Sequence, residues 1–153
     1  TWNQEYMCIA LDGDSHWLDW SLITSCEDVD AGKPEGYAGG PVVVGWDVAR
    51  RRDGSVIWVS ELVGDVASTR EVIRMNKMTF SAQMAELARV FNDYDVMRCC
   101  IDQTGMGEKV VEDAKAAHGE FRVEGVVMTG PTKLHLATVV KQRFQDRQVR
   151  TPP

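Results

Sequence analysis

No run of about 18 apolar residues occurs in the chain, which removes a membrane-spanning helix from consideration. There is no initiator methionine and no secretory leader pattern. The opening T-W-N-Q-E-Y-M-C therefore reads as the start of an excised piece, and R-T-P-P, just after a helix-like stretch, reads as a point from which the natural protein continues. Cysteine is sparse: Cys8, Cys26, Cys99 and Cys100. None forms a C-x-x-C pair, which disfavours zinc. Neighbours on a strand point to opposite faces, so Cys99 and Cys100 are poorly placed to bridge each other. All four read as reduced thiols of a cytosolic protein.

Other absences narrow the chemistry. H-E-x-x-H and a Ser/His/Asp constellation are missing, and His16, His118 and His135 show no ligand spacing. His118 suits a helix-end cap and His135 a surface position. The loop T-G-M-G (104–107) is not a P-loop, because the four-residue gap is missing and Lys109 is followed by Val110; this weakens a nucleotide-binding reading. Its glycines are read as serving a tight turn, although N–H groups before a helix can also meet phosphate. Repeats and low-complexity tracts are absent as well.

Basic residues are scarce at the front and enriched at the back. Residues 1–40 carry eight acids against Lys33, a balance of −7 within a total of −6, which leaves +1 for the other 113 residues. From Pro131 onward, Lys133, Lys141, Arg143, Arg147 and Arg150 stand against Asp146 alone. The net charge therefore does not exclude a DNA partner, since local fields decide such contacts.

An apolar fraction of 44% in 153 residues is enough for one domain with a real core. Residues 1–40, ending A-G-K-P-E-G-Y-A-G-G, read as a linker, and the Trp17/Trp20 pair as packing. From residue 41 the pattern changes. P-V-V-V-G-W-D-V-A (41–49) reads as a buried strand and S-V-I-W-V-S-E-L-V (55–63) as its antiparallel hairpin partner across R-R-R-D-G. A third strand is expected over about 69–75. A helix follows over 80–93, capped by Thr79 or Ser81, with Phe80, Met84, Leu87, Ala88 and Phe91 inward. A strand over 95–102 leads to a helix over 108–118, with Val110, Val111, Ala114 and Ala117 inward, stopped by Gly119. A strand over 121–128 precedes a helix from Pro131 to about Arg147, with Leu134, Ala137, Val140 and Phe144 inward. The order β-β-β-α-β-α-β-α predicts a mixed α/β sheet, an antiparallel meander and then α-linked parallel strands, with helices on both faces.

Two acids occupy unusual positions. Asp47 lies inside or at the end of the apolar strand V-V-V-G-W-D-V-A, and Asp102 ends V-M-R-C-C-I-D before a glycine loop. A carboxylate in such a setting needs a counter-charge, hydrogen bonds or a metal. A strand-end aspartate also commonly caps the next turn, and both roles stay open for each residue. If the first and fourth strands are neighbours, the two carboxylates emerge together and a divalent cation relieves their repulsion. Mg²⁺ accepts one or two carboxylates plus waters and phosphate oxygens. Two such ions about 3.5–4 Å apart clamp the attacking and leaving oxygens of a phosphodiester. Asp53 reads either as part of an Asp-Gly turn or as a partner steadying Arg50, Arg51 or Arg52 toward phosphate, although exposed charge clusters are usually just solvated.

The stretch G-W-D-V-A-R-R-R-D-G-S-V-I-W (45–58) resembles the start of the nuclease domain of large terminase subunits of tailed phages, especially the Mu-like prophage branch. I-D-Q-T-G-M-G (101–107) resembles that domain's second acidic motif, and Q-E-Y-M-C (4–8) the segment closing the preceding ATPase domain. P-T-K-L-H-L (131–136) and V-R-T-P (149–152) also fit. The resemblance implies a ribonuclease H-like endonuclease cutting concatemeric double-stranded DNA, with two Mg²⁺ or Mn²⁺ ions. Asp47 and Asp102 would be the metal-binding, catalytic carboxylates, and Asp53 and Arg51 accessory. Arg50, Arg52, Lys133, Lys141, Arg143 and Arg147 are candidates to grip the DNA backbone. The resemblance also implies an N-terminal ATPase domain joined through residues 1–40, with 41–153 as the nuclease domain. Portal protein and small terminase subunit are the implied partners, in the bacterial host cytoplasm and without membrane. A third acidic or histidine ligand is expected beyond residue 153. The alternatives are a resolvase- or transposase-type nuclease, or a non-catalytic docking domain of the packaging motor.

Overall fold

The computed structural model describes residues 17–48, 54–105 and 107–153. Alternation rules the first strand, β1 (Val42–Asp47): Val42, Val44 and Trp46 are buried, whereas Val43, Gly45 and Asp47 face away from the core. The run is thus buried on one face, not both. β2 (Ser55–Val63) pairs antiparallel with it, and β3 (Val66–Met75) returns along β2 through a tight turn at Gly64 and Asp65. Gly64, at φ 63°, supplies the positive φ that such a two-residue hairpin turn requires. β3 begins three residues before the sequence pattern predicts, because hairpin pairing extends the strand past its polar start.

A short helix α1 (Trp20–Thr24) precedes the sheet, and helix α2 (Phe80–Asp93) follows β3, capped by the Thr79 hydroxyl accepting from the Ala82 N–H at 3.2 Å. β4 (Val96–Asp102), α3 (Gly107–His118), β5 (Val123–Val126), α4 (Gly130–Gln145) and β6 (Val149–Arg150) complete the order. The six strands form one mixed sheet in the order β5-β4-β1-β2-β3-β6. β4 runs parallel to both β1 and β5, and β6 parallel to β3.

The core lies on one face. There α2 and α3 cover Val44, Trp46, Ile57, Val59, Cys99 and Ile101 with Leu87, Val90, Val110, Val111 and Ala114. Ala88 and Ala117, expected inward, are exposed, and Gln83 and Val90 are buried instead. His118 does not cap its helix by its side chain: its ring stacks on Phe91 at 4.0 Å, and Arg122 lies 5.2 Å from the Phe91 ring centre.

The second face is only loosely covered, by α4. None of the 16 residues of α4 is buried, and Leu134 and Val140 are exposed rather than inward. At 100° per residue Leu136, Val139 and Val140 fall within one arc of about 100° and Leu134 lies apart from them; all four are exposed, so this stripe is not packed as a core face. Trp17 and Trp20 are likewise exposed rather than packed.

Residues 26–41 are docked on the sheet. Glu27 bridges Thr151, Cys26 and Ala31 are buried, and Gly32 N–H donates to Thr69 O at 2.9 Å. The main anchor is Glu61 of β2, 1% exposed. It accepts from Gly40 N–H at 2.8 Å, Ala38 N–H at 3.2 Å and the Arg70 guanidinium at 2.7 Å. Burial opposes its ionisation, but these donors together outweigh burial and hold the carboxyl below the usual range.

Candidate functional site

Asp47 closes β1 and Asp102 closes β4, and these strands are parallel neighbours. Trp46 pairs with Ile101, so the next residue of each strand stands at the same level. Trp46 and Ile101 point into the covered core. By alternation both carboxylates emerge on the opposite, open face, Asp47 exposed and Asp102 half-buried. They line one cavity of about 540 Å³ together with Gly45, Trp58, Cys100 and Leu136.

The strand ends are held by local bonds. Trp46 Nε1–H donates to Ser55 Oγ at 2.9 Å, and Ser55 Oγ–H donates to the Asp47 carbonyl at 2.7 Å. Among the described residues nothing hydrogen-bonds the Asp47 carboxylate. Asp102 Oδ1 accepts from the Thr104 N–H at 2.8 Å, an Asx turn. The turn role of this aspartate is therefore present, and it fixes the carboxylate while leaving the second oxygen available. Gln103 N–H donates to Val126 O at 2.8 Å, and Met128 N–H to Thr104 Oγ1 at 3.0 Å, which clips the loop to the end of β5. Gly107 starts α3 directly against the Asp102 carbonyl, where a Cβ would overlap that oxygen.

Among the described residues, the charged side chains that line the cavity are Asp47 and Asp102. Arg98, further back on β4, is paired with Glu124 at 3.0 Å. Burial first, then Glu124, pushes the Cys100 thiol up, so the sulfur on this face is neutral. The remaining donors are hard carboxylate oxygens, which fit Mg²⁺ or Mn²⁺ better than a soft metal. Among the described residues no group of three or more His, Cys, Asp or Glu side chains is placed to hold an ion.

The other candidates are dispersed. Arg50, Arg51, Arg52 and Asp53 lie outside the described residues. Lys133 is exposed on α4, the Lys141 ammonium sits 5.2 Å from the Trp17 ring centre, and Arg147 is exposed past the helix. Arg143 turns toward the β2–β3 hairpin, donating to Gln148 Oε1 at 2.9 Å and Asp65 O at 3.4 Å. The two aspartates are thus brought together, and the basic residues of α4 do not form one facing row. Trp58 was not foreseen as part of the site. The available signal was its even spacing from Val56, the residue opposite Asp47.

A family model described as the terminase RNaseH-like domain matches residues 44–152. Among solved structures, the chain is similar to the large terminase nuclease of thermophilic phage G20c with bound magnesium: 22% identity, TM-score 0.65, over 81% of this chain and 62% of that one. The G20c nuclease with bound zinc gives 22% identity and TM-score 0.63, over 86% of this chain and 81% of that one. The bacteriophage HK97 large terminase gives 13% identity and TM-score 0.64, over 90% of this chain and 34% of that one. This chain thus spans 62% of the magnesium-bound nuclease and about a third of the HK97 protein. None of the curated proteins matches it. At these identities the likeness to the solved structures is one of fold.

Proposed function

This chain belongs to the terminase RNaseH-like domain family, and on that premise we propose that it is the metal-dependent endonuclease domain of a phage or prophage DNA-packaging terminase. Its substrate is concatemeric double-stranded DNA. The observation that carries the reading is the pair Asp47 and Asp102, side by side at the ends of parallel neighbours and facing one open cavity.

Asp47 and Asp102 would hold Mg²⁺ or Mn²⁺, two ions in the complete site. When bound, such cations polarise phosphodiester oxygens and lower the pKa of water. The residues of the chain contribute position. The Asx turn at Thr104 fixes one carboxylate, and the Trp46–Ser55–Asp47 relay fixes the strand end that carries the other. Crystals of the G20c nuclease with magnesium, cobalt and zinc support the choice of a divalent cation. Waters, phosphate oxygens and a third protein ligand complete the coordination. In this reading the domain works with an ATPase domain of the same protein, with the portal and with the small subunit, in the host cytoplasm. No described helix is long and apolar enough to cross a membrane.

The test is nicking of supercoiled plasmid in Mn²⁺ by the wild-type protein and by Asp47→Asn and Asp102→Asn. Both variants are expected to keep the circular dichroism spectrum and lose cutting by at least about 100-fold. Unchanged cutting by either folded variant overturns the assignment.

The exposed apolar side chains of α4 favour a second reading, a non-catalytic docking domain of the motor. Titration with Mn²⁺ separates the two, since a docking module binds no ion at Asp47.

A further inference from the structure

The open face carries an aromatic side chain that the cutting chemistry does not use. Trp58 of β2 pairs across Gly45, and on the other side Gly45 pairs with Cys100. Gly45 lies two residues from Asp47, about 7 Å along the strand. A Cβ on Gly45 would meet nothing within 4 Å, so an open slot lies over this glycine between the indole and Cys100. The slot is part of the cavity that holds both aspartates.

The indole is presented rather than packed. Trp58 is 38% exposed, whereas Trp46, on the opposite face of the same sheet, is 2% exposed. Its only polar atom is already engaged: Nε1–H donates to Thr69 Oγ1 at 3.1 Å, and that hydroxyl donates to Arg150 O at 2.8 Å. The ring is thereby fixed, and what remains for a ligand is a π face. Val126, Met128 and Leu136 add apolar wall, and among the described residues the charged side chains lining the cavity are the two aspartates. The occupant must therefore combine a flat, apolar-faced group with an anionic group held by cations on the aspartates. A nucleotide has that composition, and a volume of about 540 Å³ is ample for one.

We infer that Trp58 is the stacking wall of a nucleoside pocket, which takes an unstacked base adjoining the phosphate at Asp47 and Asp102. The inference rests on the nuclease reading above and adds to it a substrate subsite. A base inside an intact duplex stack cannot enter, so the pocket selects DNA that is locally opened or strained at the cut.

The experiment uses the full chain with a single-stranded oligonucleotide carrying 2-aminopurine, in Ca²⁺, and reads the emission of the base analogue rather than cutting. The wild type is expected to quench it saturably. Trp58→Leu loses the quench, and Gly45→Val, which fills the slot while leaving the ring in place, weakens binding about tenfold or more. Trp20→Leu, which removes an exposed tryptophan elsewhere, leaves the quench unchanged. Melting curves establish that each variant is folded, and Gly45→Val decides the matter if Trp58→Leu is not. A wild type without quenching, a quench that survives in folded Trp58→Leu, or wild-type affinity in folded Gly45→Val overturns the pocket. Loss of plasmid cutting in Asp47→Asn beside a quench indifferent to Trp58 overturns the pocket alone. Cutting indifferent to Asp47 overturns the nuclease reading alone.

Discussion

Gly107 begins its helix against the carbonyl oxygen of Asp102, with no room for a Cβ between them. The helix start and the strand end therefore set each other's position, and the Asp102 carboxylate inherits that placement. Gly107→Ala is expected to cost about 1–3 kcal/mol, because the neighbour is backbone and cannot turn aside. Gly130→Ala, at a helix start where nothing lies within 4 Å, is the control and should be neutral or stabilising. Urea unfolding of both variants measures the difference.

Cation binding should appear as thermal stabilisation. A ligand at 100 times its Kd adds about 2.7 kcal/mol, which for a domain of this size raises Tm by about 5–10 °C. The wild type should show this rise in Mn²⁺, and Asp47→Asn and Asp102→Asn should not. Without cation the variants should melt no lower than the wild type, since each removes one of two neighbouring negative charges outside the core. A full Mn²⁺ rise in either variant would contradict the ligand assignment.

Glu61 should make stability fall in acid. Its folded-state carboxyl lies below the ordinary range, so the unfolded chain binds its proton first as pH drops. The contribution is complete above the unfolded value, about 4.3, and is lost as pH falls through the folded value. The stability gap between wild type and Glu61→Gln should therefore be largest near neutrality and shrink below about pH 4.3. Arg70→Met should cost about 3 kcal/mol at neutral pH, toward the low end for a broken buried pair, because the Ala38 and Gly40 donors remain.

Thiol labelling should report on unfolding. Burial pushes the Cys99 thiol up to about 12, so at pH 8 only about one part in ten thousand is thiolate, and the side chain is enclosed as well. Alkylation followed by peptide mapping should find Cys99 protected in the native protein and modified only at the rate of unfolding. Rapid native labelling at Cys99 would contradict the buried placement of β4.

The sequence made the meander and the α2 and α3 helices legible, because each carries a period that only one burial pattern satisfies; the pairing of β1 with β4 stood only as a condition, since periodicity does not say which strands are neighbours. Asp47 and Asp102 stood out because a carboxylate in an apolar strand needs an explanation, although the first strand ends at Asp47 and not at residue 49. Glu61 deserved the same suspicion in S-V-I-W-V-S-E-L-V, and its partners, the N–H groups of Ala38 and Gly40, are backbone donors that no residue type announces. β6, at two residues, is too short to show alternation. The α4 face was misjudged because Leu134, Ala137, Val140 and Phe144 were read without Leu136 and Val139, which carry the apolar character around the helix. Arg50 to Asp53 lie outside the described residues, so their proposed part at the site stands as the sequence suggests it.

The grip of Glu61 on Ala38 and Gly40 also has a mechanical meaning. Glu61 pairs with Val42 at the start of β1, five residues and about 17 Å from Asp47 at its end. A pull on the segment that enters β1 is taken up first by the carboxylate of β2, by Arg70 and by the ladder between the two strands loaded in shear. Tension arriving from that side is therefore spread across the sheet before it reaches the far strand ends, and the spacing of the two aspartates is insulated from it.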